Sequence, residues 1–237
     1  MAAELQVVLI TNTPDPERTV ASAGRLCYSQ ASAADLVEEM SQEEVEKLIR
    51  ILIRSGHHSA IEHASFSFAI DGISRACTHQ LVRHRLASYS QQSQRYVLFE
   101  DDFIIPPAFA TDENAVKVFT KAMKDAKRSY DKLVEIGLAK GLSKEAAQED
   151  ARFVLPNAAE TKIFVTMNAR ELRNFFATRC CKRAQWEICA MAIEMFRLCR
   201  QVAPLLFWNA GSGCVTGGCK EGKMTCGKPY PQDFFTK

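Results

Sequence analysis

S-R-A-C-T-H-Q-L-V-R-H-R-L-A-S-Y-S-Q-Q-S-Q-R-Y, residues Ser74 to Tyr96, is the stretch around which the chain is organised. Arg75, Arg83, Arg85 and Arg95 fall within it beside His79 and His84, without one Asp or Glu. Positive charge this dense is costly to hold unless an anion meets it. It reads either as a basic loop in water, as a cluster paired with carboxylates from elsewhere, or as an anion site. The absence of local acid and the interleaved small and apolar residues favour the anion site. Arginine offers a rigid fork of donors that suits phosphate, and Ser and Gln side chains can complete the cradle.

Upstream, Gln6 to Thr11 is a short β-branched strand, and Asn12 to Arg18, with two prolines, is turn-rich. Ser41-x-x-Glu44 is a capping box, after which Val45, Leu48, Ile49, Leu52 and Ile53 recur at helical spacing until Gly56. His57 to Glu62 leaves that helix as a loop. His63 to Ile70 then alternates, with Ala64, Phe66, Phe68 and Ile70 on one face, as a half-buried strand does. Asp71-Gly72 is expected to turn the chain into a helix from about Ile73. On it Gln80 and His84 would share a face, while Arg83 and Arg85 would point about 200° apart unless the helix ends first. All the histidines lie between positions 57 and 84. No pair has H-E-x-x-H spacing, so a cofactor or a neighbouring subunit is a better partner for them than a metal.

Downstream, Pro106-Pro107 opens a linker and Asn114 to Ala139 is a long amphipathic helix. Ser143 caps another that ends at Leu155-Pro156, with Arg152 in its last turn. Thr161 to Met167 is a strand, and Asn168 is placed to cap the next helix. On that helix Leu172, Phe175 and Phe176 form the apolar face, and Arg179 falls near its centre. Such an arginine either snorkels from the helix end or is held for a partner. Ala184 to Val202 is the last helix, stopped by Pro204.

A chain of 237 residues can build one large domain or two small ones. Segment 1–210 reads as a single domain, and 211–237 as a Gly/Cys-rich extension holding Cys214, Cys219 and Cys226. C-x4-C-x6-C is not the paired spacing of a zinc site, and Gly211-x-Gly213 is no dinucleotide fingerprint. A net charge of +2 argues against a general nucleic-acid binder, so the arginines matter by position. No apolar run reaches the roughly 20 residues of a membrane span. The opening M-A-A-E-L-Q has no basic leader before its short apolar run, and the nine cysteines are scattered. Both point to a cytoplasmic protein with reduced thiols.

Arg83-His84-Arg85-x7-Ser93 is similar to the signature of the flavin-dependent (alternative) thymidylate synthases. Four further blocks follow in that family's order: His57-His58-Ser59-Ala60-Ile61-Glu62-His63, Arg152-Phe153-Val154-Leu155-Pro156, Asn168-Ala169-Arg170, and Arg179 in F-F-A-T-R. Together they cover about residues 55 to 190.

The resemblance implies an α+β fold, with helices packed on a mostly antiparallel sheet, assembled as a homotetramer with shared active sites. It implies reductive methylation of deoxyuridine monophosphate (dUMP) to deoxythymidine monophosphate (dTMP). Methylenetetrahydrofolate would supply the carbon and NADPH-reduced FAD the electrons. Residue by residue, it places His57, Ser59, Arg83, His84, Arg85, Gln91, Asn168, Arg170 and Asn174 on FAD. It places Gln80, Arg83, Gln91, Gln92, Ser93, Gln94, Arg95, Arg152 and Arg179 on dUMP, with Arg179 activating the uracil ring. Ser93 has no base near it in sequence and reads as a binding residue, not a nucleophile. Cys180, Cys181 and Arg183 depart from the family's usual residues beside Arg179. The competing reading of the same arginines is a non-catalytic nucleotide- or RNA-binding protein with a zinc-binding tail.

Overall fold

The computed structural model describes residues 2–235; Met1, Thr236 and Lys237, the outermost residues of the two expected segments, lie outside the described residues. The chain begins with β1 (Gln6–Asn12) and a helix that sequence reading missed, α1 (Pro16–Leu26). Pro16 sits in the first turn, where its missing N–H costs nothing, and the Asp15 carboxylate accepts from the Arg18 amide. The two prolines read as a turn therefore start a helix. A short α2 (Ala33–Glu39) precedes α3 (Gln42–Arg54). The capping box is formed at both ends: Glu44 N–H donates to Ser41 Oγ at 3.3 Å, and Ser41 N–H to Glu44 Oε2 at 2.9 Å.

Strand β2 (Ser65–Ser74) runs four residues beyond its expected end. Asp71-Gly72 is not a turn. Gly72 has φ +70° inside the strand, and a Cβ there would lie 1.9 Å from the Glu4 carbonyl oxygen. Glycine is needed because another backbone passes against it, the same conformational demand that a turn makes. Ser74 then caps α4 (Arg75–Leu81), which ends before Arg83. The shared helical face of Gln80 and His84 therefore does not exist. The chain instead enters β3 (Ala87–Gln91), a strand with no strong apolar signal.

A short α5 (Pro107–Ala110) leads to the long α6 (Glu113–Ala139), then α7 (Lys144–Ala151) and β4 (Glu160–Asn168). Helix α8 (Ala169–Arg179), α9 (Trp186–Val202) and the short α10 (Gly213–Thr216) complete the elements used below. The four strands form one antiparallel sheet in the order β1-β2-β4-β3, so the fold is α+β. Phe66, Phe68 and Ile70 of β2 alternate with half-buried residues, and Ile163, Val165 and Met167 of β4 alternate with exposed or half-buried ones.

The chain divides into two compact units. One comprises the segment ending at Gln6, Ile70–Val82 and Ser90–Ile163; the other comprises Val7–Ala69, Arg83–Tyr89 and the segment from Phe164. The core of the first gathers Phe99, Phe103, Met123, Tyr130, Val134, Ala147, Ala151 and Ala159. In the second, Phe176 of α8 lies 5.3 Å from Phe196 and 5.8 Å from Phe207, both rings edge-on. Truncating such a ring to alanine costs about 3–5 kcal/mol, so α8 is a rigid platform for what it carries. The last segment folds back on this unit, with Phe235 against Phe196 at 5.1 Å and its carbonyl accepting from Arg200 at 2.7 Å.

Candidate active site

Asn168 closes the N-terminus of α8, its Oδ1 accepting from the Glu171 amide at 2.9 Å. That cap fixes the first turn of α8 and with it the Glu171 carboxylate. The His84 and Glu171 side chains are only 9% and 6% exposed, and their Nδ1 and Oε1 atoms stand 3.0 Å apart. At the far end of α8, Arg179 donates Nε–H to His84 Nε2 at 3.0 Å. A ring nitrogen that accepts cannot carry a proton, so Nδ1 holds it and donates to Glu171. His84 is a neutral imidazole in one tautomer. Burial first, then the Arg179 charge, lowers its pKa, against the raising effect of Glu171. Phe175 meets the ring edge-on at 4.9 Å, and Tyr89 donates its hydroxyl to the His84 carbonyl at 2.8 Å. Neither Nη group of Arg179 has a protein partner among the described residues.

Arg83 and Arg85 flank His84, exposed and without a carboxylate partner among the described residues. His57 and Ser59 are exposed too, and the Ser59 hydroxyl makes no cap bond to the short turn it precedes. Arg170 pairs with Glu62 at the surface, and Asn174 reaches Glu171 Oε2 at 3.5 Å. Arg173 was missed by sequence reading. It donates to the Leu206 carbonyl at 2.6 Å and to Asn209 Oδ1 at 2.7 Å, and burial lowers its pKa to about 10. Its role is to tie α8 to the chain after α9. Glu171 was missed as well, because a first-turn acid looks like ordinary helix capping and its partner lies 87 residues away.

In the other unit, Arg95 Nε lies 3.1 Å from one Glu149 oxygen and Arg152 Nη2 lies 3.8 Å from the other. One carboxylate between two guanidinium groups leaves a net positive charge, which suits a phosphate. Glu149 was not singled out, although its i,i+3 spacing from Arg152 was readable. Gln91 donates Nε2–H to Thr78 Oγ1 at 3.1 Å and Thr161 Oγ1 at 3.2 Å, leaving its carbonyl available. Arg75 holds the Gln92 carbonyl at 2.7 Å, and burial lowers its pKa. Ser93 Oγ accepts from the Arg95 amide at 3.2 Å. Gln80 is half-buried on α4. Gln92, Ser93 and Gln94 also border a cavity of about 390 Å³ whose walls include Glu4, Asp71, Glu100, Asp102 and Glu160 against one lysine, Lys162. The walls of that cavity are too acidic to suit a phosphate.

Cys180, next to Arg179, is fully buried, and burial pushes its thiol well above the ordinary range. It is a packing residue, not a thiolate nucleophile. All nine cysteines are free. Among the described residues no three His, Cys, Asp or Glu side chains gather as a metal site requires. Nor is any helix among them long and apolar enough to cross a membrane.

This architecture is that of a nucleotide methylase. It superposes on the UMP/dUMP methylase PolB from Streptomyces cacaoi, solved with 5-Br dUMP, with a TM-score of 0.74 and 25% identity, over 88% of this chain and 96% of that one. The family described as Thymidylate synthase complementing protein matches residues 8–205. The flavin-dependent thymidylate synthase of Geobacter sulfurreducens is 53% identical over 227 residues, 94% of each chain. That of Clostridium tetani is 49% identical over 233 residues, again 94% of each. The chain belongs to the flavin-dependent thymidylate synthase family.

Proposed function

We infer that the protein converts dUMP to dTMP by reductive methylation, with methylenetetrahydrofolate as carbon donor, FAD as redox cofactor and NADPH as reductant. The observation that carries the reading is the Arg179 guanidinium, anchored through Nε to His84 at 3.0 Å while both Nη groups remain available. A planar guanidinium held by one edge offers its other edge to a pyrimidine carbonyl. As charge develops on the uracil ring, a preorganised donor pair beside O2 stabilises it and favours the nucleophilic form of C5. Arg95 and Arg152 take the 5′-phosphate, sharing Glu149, with Gln80, Gln91, Gln92, Ser93 and Gln94 supplying neutral donors and acceptors. Arg83 is assigned to both ligands.

The exposed Arg83 and Arg85, without a carboxylate partner among the described residues, fit the pyrophosphate of FAD, and His57, Ser59, His84, Arg170 and Asn174 fit its polar remainder. Asn168 and Gln91 can contribute only what their structural hydrogen bonds leave over. When bound, FAD supplies the reducing electrons that turn the transferred one-carbon unit into a methyl group. A homotetramer with sites shared between subunits is supported by Val8 and Ile10 on the edge strand, each 52% exposed, and by Phe164 at 40%. Apolar strand faces of this kind call for cover. Free thiols throughout fit a cytoplasmic location.

Purified protein tests the reading directly. It should be yellow, with a flavin absorption spectrum, and should oxidise NADPH at a rate that changes when dUMP is added. A colourless protein that neither takes up FAD nor oxidises NADPH overturns it.

A further inference from the structure

Glu171 has no part in the assignments above, yet its buried carboxylate is the end of a chain that reaches Arg179 through His84. We propose that Glu171 is a positioning residue for the reaction: it selects the His84 tautomer that lets Nε2 accept from Arg179 and so aims the guanidinium at the nucleotide. The proposal rests on the reading that Arg179 meets dUMP.

The geometry leaves little freedom. Glu171 is held by the Asn168 cap on its backbone and by Asn174 on Oε2, with Oε1 turned to His84 Nδ1. A carboxylate oxygen accepts from Nδ1–H, which leaves Nε2 bare to accept from Arg179. The opposite tautomer would put the Nε2 proton against the Arg179 Nε proton, donor against donor, with Nδ1 facing carboxylate oxygen. Both contacts would be repulsive at 3.0 Å. Phe175 and the Tyr89 bond to the His84 carbonyl keep the residue from turning away. No other titratable side chain is in hydrogen-bond contact with the imidazole among the described residues.

Glutamine at 171 removes the discrimination. Its amide can accept from Nδ1–H through oxygen or donate to bare Nδ1 through nitrogen, so both tautomers become available. Only one of them holds Arg179.

The test is a double-mutant cycle on the FAD-loaded protein, reading the dissociation constant for dUMP by calorimetry in wild type, Glu171→Gln, Arg179→Ala and the double variant. Glu171→Gln should weaken dUMP about tenfold while Arg179 is present, the size expected for a misaimed charged hydrogen bond. On the Arg179→Ala background it should have no further effect. Equal losses in both backgrounds would mark Glu171 as merely structural, and no loss with Arg179 present would also overturn the proposal. If Arg179→Ala itself leaves dUMP binding unchanged, the substrate reading of Arg179 fails instead. The His84 tautomer then decides what Glu171 does. Nitrogen-15 NMR of His84 in the wild-type protein should show a protonated Nδ1 and a bare Nε2, and a mixture in Glu171→Gln. That measurement on wild type alone suffices should Glu171→Gln not fold, and a protonated Nε2 there overturns the proposal.

Discussion

Arg179 and His84 meet through a donor that is always charged and an acceptor that must be neutral, at 3.0 Å. The contact resolves how an arginine can sit on the apolar side of α8. The choice between snorkelling and waiting for a bound group was too narrow, since the Nε edge is taken by an imidazole of the same chain. The outer edge is what remains for chemistry.

Arg179→Ala should keep NADPH-driven flavin reduction and nearly stop methylation. A preorganised donor to a developing oxyanion stabilises it by roughly 2.7–4 kcal/mol, or about 10²–10³ in rate. Lysine should restore little, because a single ammonium cannot hold His84 and a pyrimidine edge together. Both reactions are measured on one preparation. A parallel fall in the two would make Arg179 a flavin or folding residue.

His84 makes stability depend on pH. Burial lowers its folded pKa below 6.5, so the unfolded chain binds more protons near that value. The stabilisation is fully present above 6.5 and is lost as pH falls through it towards the lower folded pKa. His58, lowered by burial first and then by Arg173, acts in the same direction. Thermal midpoints at about pH 8 and about pH 5 should therefore differ less in His84→Gln than in wild type. An equal drop in both proteins would show that His84 does not titrate in this window.

Local devices were legible in the sequence and long-range ones were not. The Ser41 box, the Ser143 cap and the Asn168 cap each lie within four residues and form as read. Strand β3 gives no sequence signal because A-S-Y-S-Q carries no apolar alternation. It exists by pairing with β4, a pairing extended by Gln92 N–H donating to the Lys162 carbonyl at 2.9 Å. The end of helix α4 is not marked in the sequence, because L-V-R-H-R-L continues a helical pattern past Val82, where the structure ends it. The arginines of the site were readable as a group. Of the acids that manage them, Glu149 was readable only as an i,i+3 partner of Arg152, since only the fold brings it to Arg95 and Glu171 to His84.

Gly72→Ala should be damaging although the site is untouched. The new Cβ would meet a backbone oxygen at 1.9 Å, and φ +70° is strained for any L side chain. A loss of more than about 1 kcal/mol, a drop in Tm of at least about 2–4 °C, is expected. An unchanged Tm would mean that the strand relaxes around the methyl group.

Ser93→Ala should weaken dUMP binding without abolishing turnover, since one hydroxyl hydrogen bond contributes about 0.5–3 kcal/mol. Complete loss of turnover at saturating dUMP, with FAD still bound, would restore the nucleophile reading of Ser93.

The central claim is that this chain methylates dUMP, and carbon transfer tests it without intermediaries. The FAD-loaded protein is incubated with dUMP, NADPH and methylenetetrahydrofolate labelled in its methylene carbon, and nucleotides are separated by chromatography. Labelled dTMP that requires all three small molecules and falls about 10²–10³-fold in Arg179→Ala is the predicted result. Flavin-bound, NADPH-oxidising protein that yields no labelled dTMP would contradict the account.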